Sequence, residues 1–265
     1  GLRVDLTSYQ VIHVHDYTAF DWVRALLPKM SRDVVVVYDA HEYLRGVSLV
    51  EKVLNYFLRQ ESWLIHRARA VITVSPPIAH QLTLDYALQR EPIVVRNTPQ
   101  LSDTSQAITI RDACHLLPEV PLVVYSGGIT PRRGIGTLLE AVQVMPDTHL
   151  AIVAPSHEAV APFLKGLDAA FLAERLHIVP FVAPSDVAHF LSSADVCVHP
   201  LWTHEHGRRI LNHAWALPNK WFEYIQARVP VVVSDVEYLS QLVRSSGIGE
   251  VFRAEDSASL QVALR

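Results

Sequence analysis

Short runs of Val and Ile alternate along this chain with longer stretches in which apolar residues recur every three or four positions. In the first hundred residues the β-branched runs fall at 11–15, 34–38, 70–74 and 92–95. Continuous runs of this kind mark parallel strands buried on both faces. The longest helical pattern covers 48–67, with Val50, Val53, Leu54, Phe57, Leu58, Leu64 and Ile65 on one stripe. Glu61 falls on that stripe. An edge position is expected for it, the alternative being a partly buried acid with a partner. The polar, unpatterned stretch 97–106 (NTPQLSDTSQ) reads as a linker. The alternation then resumes, with strands expected at 122–125, 149–153, 177–179, 195–199, 231–234 and 249–252. A helix is expected over 135–145, where Ile135, Leu138, Leu139 and Val142 keep the i, i+3, i+4, i+7 spacing. Strands separated by helices of this length imply right-handed βαβ units. The expected fold is α/β: two Rossmann-like doubly wound parallel-sheet lobes, residues 1–97 and 108–265, joined by a linker at 98–107.

Composition narrows the function classes. Half of the 265 residues are hydrophobic, 19% are charged, and the net charge is −4. That excludes a disordered chain and shows no basic footprint for nucleic acid. No apolar run is long enough to span a bilayer. The two cysteines, Cys114 and Cys197, stand far apart in apolar surroundings, which reads as reduced and cytoplasmic.

Ligands of doubly wound sheets bind beyond the carboxyl ends of the strands. Here those positions are polar and rich in His and Asp: His15-Asp16, Asp39-Ala40-His41-Glu42, Ser75-Pro76, Arg96-Asn97, Ser126-Gly127-Gly128, Ala154-Pro155, His199-Pro200 and Ser234-Asp235. Three segments concentrate the chemistry. YSGGITPRRG (125–134) runs from a strand into a helix. Gly127 and Gly128 permit close approach to the backbone, the helix start favours an anion, and Arg132 and Arg133 are placed to clamp phosphate oxygens. The plainer reading is a tight turn with solvated arginines. LPNKWFEY (217–224) is a second helix start, with Pro218 suited to the first turn and Lys220 three residues before Glu223. An exposed ion pair is the plainer reading there. VVYDAHEY (36–43) places His41 and Glu42 just after a strand of the first lobe, facing the cleft between lobes, where a lone His is more often structural than catalytic.

Together these segments resemble the family 4 retaining glycosyltransferases of the GT-B fold. The resemblance runs through VIHVHD, VYDAHE, AVITVS, VVRNTP, YSGGITPRRGIGTLLEA, SSADVCVHP and LPNKWFEYIQARVPVVVSD. It implies transfer of a sugar from a nucleoside-diphosphate donor, bound in the second lobe, to a glycan, lipid or small-molecule acceptor on the first. In this chain it gives Arg133 the role of holding the donor diphosphate. A second basic residue usual in that loop is replaced by Gly128, and Arg132 or Lys220 is expected to substitute. Of the Glu-seven-Glu pattern only Glu223 remains, expected on the ribose hydroxyls, because Trp215 stands eight residues earlier. Pro218, Asn219 and Lys220 are expected near the donor phosphates. His41 matches the first-lobe His near the reacting sugar, with His15, Asp16 and Glu42 on the acceptor side. The front strands and closing helix of the family are expected to be missing, so the chain looks trimmed.

No Asp-x-Asp occurs in the sequence, so no cofactor and no metal is expected, and the leaving diphosphate would be met by cations and helix N–H groups. A cytoplasmic location is expected, with peripheral contact at the inner membrane face open and no nucleic-acid partner. Two rival readings stand beside this one. A metal hydrolase would use His13, His15 and His41, with Asp39 and Glu42 as further ligands, because period-2 spacing puts His13 and His15 on one strand face. A catalytically silent sugar-nucleotide binding module is the other.

Overall fold

The β-branched runs form strands, and amphipathic stretches between them form helices. The computed structural model describes residues 8–100 and 108–265. Two units result: unit 1 is Gly1–Asn97 with Trp215–Leu217, and unit 2 is Thr98–Ala214 with Pro218–Arg265. Most of the expected linker, residues 101–107, lies outside the described residues.

Unit 1 carries β1 (Val11–His15), β2 (Val35–Ala40), β3 (Ala70–Thr73) and β4 (Ile93–Val94), all parallel and in that spatial order. Strand β2 continues two residues past the predicted 34–38, so Asp39 lies inside the strand, in register with His15. His13 stands opposite Val37. The helix Glu51–Ile65 buries Gln60, Glu61, Leu64 and Ile65. The first half of the predicted stripe, Val50 and Val53, is exposed.

Glu61 is not at an edge. It is 1% exposed, and its two carboxylate oxygens accept hydrogen bonds from Tyr38 Oη at 2.6 Å and Tyr86 Oη at 2.5 Å. Burial raises the Glu61 pKa, and the two hydroxyl donors oppose that rise. The hydroxyls hold a carboxylate that would otherwise be buried without partners.

Unit 2 is built on β5 (Leu122–Ser126), β6 (His149–Val153), β7 (Leu176–Val179), β8 (Val196–His199), β11 (Val231–Ser234) and β12 (Gly249–Phe252). Their order is β12-β11-β8-β5-β6-β7, all parallel. A small antiparallel hairpin, β9 (His204–Glu205) with β10 (Arg208–Arg209), was invisible to the pattern because its strands hold only His, Glu and Arg and no apolar run. Every residue of β5 is buried. The helix Ile135–Gln143 places Ile135, Leu138, Leu139 and Val142 into the core with Leu150, Ile152, Phe171 and Val198. Each such side chain contributes about 1.5–3 kcal/mol on burial. Both cysteines are buried and free. Among the described residues no helix is long and apolar enough to cross a membrane.

Glu61→Leu should cost about 2–4 kcal/mol, because it strands two buried tyrosine hydroxyls without an acceptor. Tyr86→Phe, which leaves Glu61 one donor, should cost less. Urea denaturation of the two variants beside wild type checks the order.

Candidate functional site

In unit 2 the chain proceeds from β5 to β6 and β7 on one side, then returns to β8 on the other. The carboxyl ends of β5 and β8 therefore flank the point where strand order reverses, the usual ligand crevice of such sheets. Ser126-Gly127-Gly128 leaves β5 there, and His199-Pro200 leaves β8.

Gly134 closes the loop. At φ +67° it sits in the left-handed region, and its N–H donates to Pro131 O. A Cβ on it would lie 1.7 Å from Pro200 O, so only glycine lets the loop pack on the end of β8. The helix Ile135–Gln143 starts at Gly134 with no side-chain cap, which leaves its first N–H groups available to an anion.

Gly127 serves a different purpose from the expected one. Its φ is +133°, and a Cβ would lie 1.9 Å from Lys220 Nζ. The missing side chain makes room for the lysine, not for a ligand. A Cβ on Gly128 would meet nothing within 4 Å, so that position faces open space.

Lys220 is the second residue of the helix Asn219–Gln226, which Pro218 precedes as N-cap. Its ammonium donates to Tyr125 Oη at 3.0 Å and lies 4.4 Å from the centre of that ring. Tyr125 Oη in turn donates to Gly128 O at 2.7 Å. The exposed pair with Glu223 that was the plainer reading does not form, although Glu223 still favours the lysine's charge. Burial, then the positive charge of Arg133, push the Lys220 pKa down to about 7. Glu223 is partly buried, and burial raises its pKa against the pull of Lys220.

The two arginines of the loop separate. Arg132 is partly exposed but paired: its Nε and Nη2 meet Glu205 Oε1 and Oε2, each at 2.6 Å, in a two-pronged pair with the hairpin. Among the described residues no carboxylate pairs with Arg133, which is felt instead by Lys220, His199 and His213.

Sequence reasoning assigned no role to three residues here. Tyr125 holds Lys220. Tyr224 Oη accepts from Ser126 N at 3.3 Å and fixes the strand end. His199 is 2% exposed, and neither ring nitrogen has a partner among the described residues. Burial, and then Lys220 and Arg133, hold its pKa well below the ordinary value, so it is neutral. Its place at the end of β8 was legible. Its burial beside two cations was not.

Unit 1 brings a second group together. His13 Nε2 lies 3.2 Å from Asp39 Oδ2, His15 Nδ1 lies 3.4 Å from it, and His41 Nε2 lies 3.5 Å from it. Asp16 has φ +58°, and burial followed by the charge of Glu42 raises its pKa. Glu42 is exposed. Trp215, which replaces the expected first Glu, packs edge-on to Tyr43 with ring centres 5.1 Å apart, and both belong to unit 1.

Comparison with known proteins now bears on these arrangements. The profile of the family described as "Glycosyl transferases group 1" matches residues 120–265. That described as "Glycosyltransferase Family 4" matches residues 2–99. Comparison with curated protein sequences finds no match. Among solved structures, a sucrose-phosphate synthase from Thermosynechococcus elongatus is 20% identical with TM-score 0.67, covering 97% of this chain and 63% of that one. Anabaena HepE, in complex with UDP and glucose, is 16% identical with TM-score 0.72, covering 97% and 67%. A glycosyltransferase from Rickettsia africae is 13% identical with TM-score 0.61, covering 96% and 65%. The chain thus spans about two thirds of the length of these structures. At these identities the likeness establishes the fold, α/β with two parallel sheets of the GT-B type. Nothing in the comparisons supports a metal hydrolase.

Two predictions follow from the geometry. Gly134→Ala should lower the thermal midpoint markedly, through a backbone clash and about 1–3 kcal/mol of conformational strain. Gly128→Ala should leave the midpoint unchanged. The second concerns Lys220. Its folded pKa of about 7 lies below the ordinary 10.5. Between those values the unfolded chain keeps a proton that the folded chain has lost, so this group's contribution to stability should rise with pH across that window. Lys220→Met should remove that part of the slope in urea titrations at pH 7 and pH 9.

Proposed function

The chain belongs to the family of glycosyl transferases group 1, and from that premise we propose that it transfers a sugar from a nucleoside-diphosphate donor held in unit 2. One observation carries the reading. At the strand-order reversal of unit 2, Arg133 and Lys220 share one region beside an uncapped helix start, and Lys220 is pressed toward its neutral form. Two cations in a poorly solvated crevice repel each other until an anion joins them, and a diphosphate satisfies both.

Each side chain then has a task. Arg133 and the N–H groups at the start of the Ile135–Gln143 helix meet the diphosphate oxygens. Lys220 takes up a proton when the donor binds, and Tyr125 keeps it in place. His199 supplies a buried N–H for the same anion. Glu223 accepts hydrogen bonds from the ribose hydroxyls. Pro218 and Asn219 shape the approach to the phosphates. Arg132, tied to Glu205, braces the loop and does not bind the donor.

The sugar–oxygen bond to the diphosphate breaks with positive charge gathering on the sugar ring and negative charge on the departing phosphate. Stabilising that departing charge is the main demand on the protein. The cations and helix N–H groups supply it, so no metal ion is required at the diphosphate. Transfer with retention is the family 4 outcome and belongs to the same reading. In unit 1 the motif resemblance supports assigning His41 to the reacting sugar and His15, Asp16 and Glu42 to the acceptor, a glycan, lipid or small molecule. A cytoplasmic setting, with the inner membrane face available for a lipid-linked acceptor, goes with this assignment.

Calorimetric titration with UDP, the nucleotide in the HepE structure, and with uridine tests the reading, with GDP and ADP alongside. Arg133→Ala should remove one charge-assisted contact, about 1.5–3 kcal/mol, or roughly ten- to a hundredfold in affinity for the diphosphate. Its effect on the plain nucleoside should be near zero. Arg132→Ala should do less, Glu223→Ala should weaken both ligands, and a chelator should leave diphosphate binding intact. Equal losses for nucleoside and diphosphate in Arg133→Ala would make the loop structural. His41→Ala should spare donor binding and depress transfer; normal transfer would remove its assignment.

A further inference from the structure

Four side chains of unit 1 converge on one point. Strands β1 and β2 are parallel, and His15 is in register with Asp39. Alternation along each strand puts His13 and His15 on one face of β1, and Asp39 beside them on β2. The chain then carries His41 to the same place just past the end of β2. The rings of His13 and His15 stack with centres 4.2 Å apart.

The spacing of the donor atoms is informative. Asp39 Oδ2 lies 3.2 Å from His13 Nε2, 3.4 Å from His15 Nδ1 and 3.5 Å from His41 Nε2. His15 Nδ1 lies 3.1 Å from His41 Nε2. The donor atoms of His13, His15 and Asp39 all fall within 4.8 Å of one another. Four ligands at 2.0–2.1 Å around a tetrahedral ion stand about 3.4 Å apart. Four of the six donor–donor separations stand near that edge length before any ion is added, and His41 joins the group through Asp39 and His15.

We propose that His13, His15, His41 and Asp39 form a tetrahedral transition-metal site in unit 1. Three imidazoles with one carboxylate suit Zn2+ and its neighbours in the first transition row, whereas Mg2+ and Ca2+ take oxygen donors. The imidazoles are 37–58% exposed and Asp39 is 14% exposed, so an ion reaches them from solvent while the carboxylate stays fixed in the strand. Binding needs a lone pair from each donor atom. The proton between His15 Nδ1 and His41 Nε2 therefore moves to the far nitrogen of the ring that carries it as the ion enters. The proposal leaves the diphosphate contacts in unit 2 untouched, but it shares His41 and His15 with the sugar and acceptor assignments above, so a bound ion and those assignments compete for the same nitrogens.

Co2+ is the probe, because a tetrahedral site gives it strong visible absorption. Titration of the whole chain should produce that band at one equivalent, and Zn2+ should displace the cobalt. His15→Ala and Asp39→Asn should each weaken binding at least tenfold. His149→Ala should leave it unchanged, although His149 Nδ1 and His177 Nε2 in unit 2 lie 2.9 Å apart and make the natural decoy. Thermal melting and circular dichroism of each variant separate lost ligands from lost fold, and UDP binding reads unit 2 independently. Absence of a tetrahedral cobalt band, or unchanged affinity in folded His15→Ala and Asp39→Asn variants, would overturn the proposal. So would equal loss in His149→Ala.

Discussion

The double pairing of β5 is the constraint on which unit 2 depends. This strand bonds to β6 on one side and β8 on the other, and all five of its residues are buried. Because the chain leaves it in one direction and returns in the other, the loops after β5 and β8 cannot cover its end from both sides. The crevice is a consequence of strand order. Gly134 against Pro200, and the uncapped helix that follows, are then what the crevice offers a ligand.

Burial decides what the charges in that crevice do. A lysine at a helix surface would stay protonated and pair with the acid three residues on. Here Gly127 lacks the side chain that would block it, and Lys220 lies across the loop against Tyr125. Removed from solvent and facing Arg133, it holds its proton far less tightly than a surface lysine does. Arg132 next door has the opposite fate, because the hairpin brings Glu205 to it. Adjacent arginines with the same chemistry are thereby given different work by one short element.

Unit 1 shows a similar division between face and partner. Its core hides Glu61 at the cost of two tyrosine hydroxyls committed to it. On the carboxyl side of the same sheet, alternation and register gather imidazoles around the Asp39 carboxylate. Extending β2 by two residues places that carboxylate inside the strand, where the backbone ladder holds it still.

Periodicity marked the strands of both large sheets and the longest helices, because β-branched runs and i, i+3, i+4 spacing record which face meets the core. The strand-end positions, and the motifs that resemble glycosyltransferases, were legible for the same reason: they sit at fixed places in the βαβ pattern. The hairpin strands are wholly polar and leave no apolar run, so the hairpin and its Glu205 were invisible. Glu61 read as an edge residue because its partners, Tyr38 and Tyr86, are more than twenty positions away. Only the folded chain decided that Lys220 turns from Glu223 to Tyr125, that Gly127 berths a lysine, and that His199 lies neutral beside two cations. Sequence spacing encodes which face a side chain lies on. Charge state and partner depend on distance and solvent access, which arise when segments remote along the chain pack together.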